Sequence, residues 1–233
     1  MDDGRKDGCR MAPTIEAVIF DLDGVITDTA EYHYLAWKQL GEDLDIPFDR
    51  EFNETLKGVS RMDSLERILA LGGKQNAFSA EEKLALAAKK NEHYVTLIQH
   101  ISEQDLLPGI TAFLDEIRNA GLKIGMASAS KNALMVVEAL KVRHYFDDIV
   151  DAATVAQSKP HPEVFLRAAE ALDVEPSRCI GVEDATAGIT AIHAAGMYAV
   201  GVGPESALHE ADYRVDSTDL LSLEQILASR SLV

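Results

Sequence analysis

The chain has 233 residues, 47% of them hydrophobic, which suits a globular protein with one substantial core and a second small module and excludes a disordered one. With 22 Lys and Arg against 39 Asp and Glu, the formal net charge is -17; such a surface repels nucleic acid and anionic membranes and excludes both as partners. Any site for a phosphate ester on this chain has to build local positive potential from a metal and a few basic side chains.

Residues 1–13 are polar at the start, lack the apolar core of a signal peptide, and read as a disordered extension with Met11 as an alternative start. Next comes a β-branched apolar run at 15–20, a buried strand that ends on Asp21-Leu22-Asp23-Gly24. From 29 to 107 there is no strand pattern, only helical ones at 31–44, 62–71 and 81–101. Leu107-Pro108-Gly109 then punctuates a return to alternation. Strands are expected at 123–127, 179–182 and 198–202, with 148–151 as a less apolar candidate. Helices lie between them, one presenting Ile110, Phe113, Leu114 and Ile117 on one face, another Val164, Phe165, Ala168, Ala169 and Leu172.

Strands alternating with amphipathic helices imply right-handed crossovers and a parallel sheet. The expected fold is therefore α/β, a Rossmann-like core of residues 14–28 and 108–233 flanked by helices. Residues 29–107 form an all-helical cap inserted after the first strand, over its carboxyl end. Cys9 and Cys179 make no disulfide framework, and no run approaches the roughly 18 apolar residues of a membrane span. A cytoplasmic monomer is expected.

Four strand-end segments carry chemistry. In the first, side-chain alternation lets Asp21 and Asp23 face one cavity, and a divalent cation, magnesium by its preference for hard oxygen ligands, would offset their repulsion. The plain alternative is a turn with solvated acids. In the second, Ser128 and the neighbouring N–H groups of Ala129-Ser130-Lys131-Asn132 form a phosphate cradle leading into a helix, or an ordinary helix cap. In the third, Lys159 is braced by Pro160 and Pro162 and can neutralise a transferring phosphoryl group; His161 reads as a cap or surface group. In the fourth, a buried strand ends on Glu183-Asp184, too costly to bury without a cation nearby, although Asp184 also suits an acidic helix start.

That order of acid pair, hydroxyl, lysine and acid pair resembles the haloacid dehalogenase-like superfamily over nearly the whole chain beyond Pro13. The stretches 20–33, which opens Phe20-Asp21-Leu22-Asp23-Gly24-Val25, 52–61, which ends Leu56-Lys57-Gly58-Val59-Ser60-Arg61, and Ala127-Ser128-Ala129-Ser130-Lys131-Asn132 are similar to its sugar-phosphate mutases, which convert β-glucose 1-phosphate to glucose 6-phosphate through a bisphosphate. The resemblance implies Asp21 as nucleophile and Asp23 as general acid and base. Magnesium would be held by Asp21, the Asp23 backbone carbonyl, and Asp184 with help from Glu183. Ser128 and Lys159 would hold the transferring phosphoryl, with Ala129 and Lys131 beside it. Arg61 would clamp the distal phosphate, faced by Ser130 and Asn132.

Lys57, Gly58, Val59, Ser60, Thr29 and His33 would orient the sugar, with an edge of Trp37 toward it. Its partners would be a hexose phosphate substrate and a hexose bisphosphate activator. Lys89-Lys90 reads as solvated helix surface, one of the two able to reach the distal phosphate. The competing readings are a sugar-phosphate phosphatase, which shares the core motifs, and a non-catalytic sugar-phosphate-binding regulator.

Overall fold

The computed structural model describes residues 13–231; the extension read at 1–13 lies, apart from Pro13, outside them. In chain order the elements are β1 (Ala17–Phe20), α1 (Ala30–Asp43), α2 (Arg50–Glu54), α3 (Arg61–Leu71), α4 (Ala80–Leu97), α5 (Ile110–Asn119), β2 (Lys123–Met126), α6 (Ala133–Ala139), β3 (Asp148–Ile149), α7 (Glu163–Ala171), β4 (Cys179–Glu183), α8 (Thr186–Ala194), β5 (Tyr198–Val202), α9 (Glu205–Leu208), β6 (Tyr213–Val215) and α10 (Leu223–Arg230).

The six strands form one sheet in the order β3-β2-β1-β4-β5-β6, every pair parallel. All four residues of β1 are buried because helices cover both faces. Alternation divides them: Val18 and Phe20 join one apolar cluster with α5, α6 and α10, while Ala17 and Ile19 join the other with α7 and α8. The strand order reverses beside β1, so the carboxyl ends of β1 and β4 flank the crevice where open α/β sheets bind ligands.

Between β1 and α5 the chain folds as helices α1 to α4, as the missing strand pattern implies. They share a third apolar cluster built on Trp37, Leu40, Ile46, Phe48, Leu65, Ile68 and Leu69. Ala36, Tyr94 and Ile98 instead pack into the core cluster, so α1 and α4 also anchor this cap to the sheet. The two connections run side by side: Leu107 N–H donates to Ile26 O at 3.0 Å, and Thr27 Oγ1 donates to Asp105 O at 2.6 Å.

Several elements are not placed individually by the expected pattern, β6 and α8 among them. β6 is a three-residue Tyr-Arg-Val edge strand, too short and too charged to stand out. α8 is Thr-Ala-Gly-Ile-Thr-Ala-Ile-His-Ala, which lacks a polar face with helical period.

Candidate active site

Parallel register brings the motifs together. Phe20 pairs with both Met126 and Val182, so the residues that follow leave the sheet at one level: Asp21 from β1, Ala127 and Ser128 from β2, Glu183 and Asp184 from β4. Asp21 N–H still donates to Val182 O at 3.0 Å, which fixes the backbone under the carboxylate. Gly24 then turns the chain at φ +75°, and a Cβ there would lie 2.2 Å from Asp184 Oδ2. Glycine is therefore required both for the turn and for the close approach of the two acidic loops.

Lys159 enters from the loop between β3 and α7. It is fully buried, yet donates to Asp21 Oδ1 at 2.8 Å and to Glu183 Oε1 at 2.6 Å. Burial disfavours its charge, but the two carboxylates outweigh that and hold its pKa above the usual lysine value. The second oxygen of Glu183 accepts the N–H groups of Asp184 and Ala185 at 2.9 and 3.0 Å. Glu183 is thus committed to protein partners on both oxygens. Asp184, half-buried, has its one ion pair among the described residues with Lys57 Nζ, at 3.8 Å. Burial, followed by the charges of Glu183 and Asp21, pushes its carboxyl well above the usual range.

Asp21, Glu183 and Asp184 each offer a carboxylate oxygen, all within 4.8 Å of one another. Buried carboxylates so close, with hard oxygen donors and one buried ammonium between them, fit a divalent cation. The Asp23 side chain is not part of this cluster. It turns toward the cap, where its Oδ2 lies 3.6 Å from His33 Nε2. Burial, then the Asp21 charge, raises its pKa to about 8.

The cap residue opposite Asp23 is held from behind. Lys90 Nζ donates to His33 Nδ1 at 2.8 Å, so the neutral ring keeps its proton on Nε2, facing Asp23. Tyr94 stacks on His33 with centroids 4.0 Å apart, and Lys90 sits 4.6 Å over the Trp37 ring. Burial lowers the Lys90 pKa to about 7, helped by Arg61, and holds His33 well below the usual histidine range. The solvated reading of Lys89-Lys90 is corrected for Lys90, which is 3% exposed on the inner face of α4; Lys89 is exposed and pairs with Asp43 at 2.6 Å.

A cleft lies between cap and core. It is lined by Asp21, Asp23, His33, Trp37, Lys57, Gly58, Val59, Arg61, Ala129, Ser130, Lys131 and Asp184, bringing together most residues the motifs single out. Ser60 and Ser128 face an adjoining smaller cavity with Ala129, Ser158 and Lys159. Thr29 and Asn132 do not line the cleft. Thr29 is fully buried, and its carbonyl accepts His33 N–H at 3.1 Å. Asn132 Nδ2 donates to Asn91 Oδ1 at 2.8 Å.

The hydroxyl loop also differs from a helix-start cradle. α6 begins only at Ala133, and Ser128 Oγ accepts Ser130 N–H at 3.0 Å in a turn of its own. Likewise α8 begins at Thr186, beyond Asp184. His161 Nδ1 accepts Glu163 N–H at 3.2 Å at the start of α7, as a cap.

Ala30, Asn53, Leu56 and Ser64 line the cleft without having been given a role there, and so does Lys90, considered only as one of two lysines able to reach the distal phosphate. Ser64 had a signal, since it lies three positions after Arg61 on one helix face. Lys90 had one too: Ala87, Lys90 and Tyr94 fall on a single buried stripe. Gly188 underlies Glu183 so closely that a Cβ would lie 2.0 Å from its Cδ.

A family profile for haloacid dehalogenase-like hydrolases matches residues 15–196. A β-phosphoglucomutase of Bacillus subtilis is 51% identical over 210 residues, 90% of this chain and 93% of that protein. A crystal structure of β-phosphoglucomutase from Clostridium difficile superposes with a TM-score of 0.91 at 51% identity, over 93% of this chain and 97% of that one. A fructose-1-phosphate phosphatase of Escherichia coli is 31% identical over 185 residues, 79% of this chain and 95% of that protein. Among the described residues, no helix is long and apolar enough to cross a membrane.

Proposed function

The chain belongs to the haloacid dehalogenase-like family and groups with its β-phosphoglucomutases, and from that footing we propose that it interconverts β-D-glucose 1-phosphate and D-glucose 6-phosphate. One observation carries the reading beyond generic phosphoryl transfer. Arg61 is half-buried in the cleft and, among the described residues, forms no salt bridge, whereas Lys159 is fully paired beside Asp21. An enclosed, unpaired guanidinium suits a second phosphate on the same substrate. A mutase has to hold two phosphates; a simple phosphatase needs only one.

Asp21 is the nucleophile, attacking phosphorus while the P–O bond to the sugar breaks. The departing sugar oxygen takes the proton of Asp23, whose raised pKa keeps it protonated at neutral pH. In the return step Asp23 accepts the proton of the other sugar hydroxyl as its oxygen attacks the aspartyl phosphate, which restores free Asp21. β-Glucose 1-phosphate thereby becomes the 1,6-bisphosphate. After the sugar turns over in the cleft, loss of the C1 phosphoryl to Asp21 leaves glucose 6-phosphate. A hexose bisphosphate activator would prime the enzyme by the same transfer.

Lys159 and Ser128 hold the transferring phosphoryl, with Ala129 and Lys131 alongside. Arg61, with Ser130, receives the distal phosphate. Lys57, Gly58, Val59 and His33 position the sugar, with Trp37 at its edge. Thr29 acts from beneath by holding the start of α1, and Asn132 and Ser60 by shaping their loops. Magnesium, bound by Asp21, Asp184 and the Asp23 carbonyl, with Glu183 fixing Lys159 beside it, would supply charge neutralisation at the phosphoryl group. A monomer in the cytoplasm completes the reading; the free, buried Cys179 fits a reducing compartment.

The test is turnover of β-glucose 1-phosphate with magnesium and glucose 1,6-bisphosphate, following glucose 6-phosphate against free phosphate. Glucose 6-phosphate should predominate; mainly free phosphate would overturn the mutase reading in favour of a phosphatase. Asp21→Asn should abolish turnover, and an unaffected activity would return the chain to a binding role.

A further inference from the structure

Outside the cleft, two hydroxyls meet on one carboxylate oxygen. Asp63 Oδ2 accepts from Ser60 Oγ at 2.7 Å and from Ser158 Oγ at 2.6 Å. Ser60 caps α3, its Oγ accepting Asp63 N–H at 3.2 Å, and the next residue, Arg61, opens that helix. Ser158 immediately precedes Lys159 in the core loop. One cap carboxylate therefore ties the start of the helix carrying Arg61 to the loop carrying the buried ammonium beside Asp21.

The other cap–core contacts at this rim are of a different kind. Lys57 faces Asp184 at 3.8 Å, and Gly58 packs on Lys159, where a Cβ would lie 3.4 Å from its Cδ. Asn91 meets Asn132 at 2.8 Å. The first two involve residues assigned above to substrate, phosphoryl or metal, so binding reshapes them, and the third joins two amides with no charge to strengthen it. Asp63 and Ser158 line no part of the main cleft, so ligand does not displace their bond, which can form whenever the cap is closed.

Building on the mutase reading, we infer that Asp63 and Ser158 are positioning residues that latch the cap, holding Arg61 and Lys159 in register so that water is kept from the aspartyl phosphate until a sugar hydroxyl arrives. The Ser158 hydrogen bond, then that of Ser60, keeps the Asp63 carboxyl below its usual range, so the acceptor is charged at neutral pH. A charge-assisted bond of this kind shifts a closure equilibrium by about tenfold. Because water and sugar compete for the same intermediate, that shift appears in the product ratio.

Ser158→Ala removes the donor while leaving Lys159 and the α3 cap in place. With β-glucose 1-phosphate, magnesium and glucose 1,6-bisphosphate, it should release about tenfold more free phosphate per glucose 6-phosphate than the wild type. Its melting temperature and its phosphorylation by acetyl phosphate should stay close to wild type. Asp63→Ala should raise the same ratio, and Ser158→Thr, which restores a hydroxyl, should bring it back. Wild-type ratios in both alanine variants would overturn the latch.

Should the wild type itself release mainly free phosphate, the mutase reading fails, and the latch is decided by hydrogen exchange with glucose 6-phosphate bound. Ser158→Ala should then lose protection in α3 and in residues 156–161, and unchanged protection would overturn the inference.

Discussion

Lys159 and Glu183 form an ion pair with neither side chain exposed, Nζ to Oε1 at 2.6 Å. A buried pair of this kind adds little net stability, because desolvation offsets most of the attraction. Its consequence is orientation: the ammonium is held against Asp21 from below, and Glu183 has no oxygen left over. Adjacent acids at the end of β4 thus divide the work, one fixing the lysine and the other facing the cleft.

Removing Glu183 leaves Lys159 with half its partners and strands two buried N–H groups. Glu183→Ala should destabilise the protein by about 3 kcal/mol in urea unfolding and abolish turnover. A loss below about 1 kcal/mol, smaller than a typical point mutation costs, would show that Asp21 alone suffices to hold the ammonium.

Gly188→Ala is a finer probe of the same pair. In a helix, alanine is normally favoured over glycine by about 1 kcal/mol. Here the added Cβ would lie 2.0 Å from Glu183 Cδ, so the variant should instead be less stable and less active. A rise in melting temperature with full activity would contradict that packing.

Burial, and then the charges of Glu183 and Asp21, disfavour the charged form of Asp184 when no cation is bound. Asp184→Asn should therefore raise the melting temperature in EDTA while eliminating activity. Magnesium should stabilise the wild type and leave Asp184→Asn unmoved. Equal stabilisation of both would place the cation elsewhere.

Asp23 has a folded pKa of about 8, raised by burial and then by Asp21, against about 3.9 for an unfolded Asp. The folded state binds the extra proton, so the stability it contributes is full below about pH 4 and is lost as pH rises through about 8. In EDTA, Asp23→Asn should flatten the fall of melting temperature over this window. It should also slow transfer to sugar about 10²–10⁴-fold while sparing phosphorylation by acetyl phosphate. Equal losses with both donors would remove Asp23 from its acid–base role.

Neighbouring lysines should behave oppositely. Lys89→Ala removes an exposed pair with Asp43 and should leave kcat/KM within about twofold. Lys90→Ala removes the donor to His33 Nδ1 and should lower kcat/KM by about 10²-fold, as expected when the geometry of a catalytic group is lost. Indifference to Lys90→Ala would mean that the stack on Tyr94 fixes His33 unaided.

The chemistry was legible in the sequence because strand ends are local features. An apolar run ending on Asp21-Leu22-Asp23-Gly24 and another ending on Glu183-Asp184 announce buried carboxylates wherever the strands lie. The helical insert was legible because 29–107 carries only a helical period. What could not be read were distances set by packing: that Glu183 spends both oxygens on Lys159 and two N–H groups, that Lys90 turns inward while Lys89 turns out, and that Asp63 meets Ser158 from 95 residues away. Residue types and spacing by themselves determined a family of phosphoryl-transfer enzymes with a cap. Only the tertiary structure decided which charged groups are paired and which, like Arg61, form no salt bridge among the described residues, because the energy of a charge depends on its surroundings and not on its position along the chain.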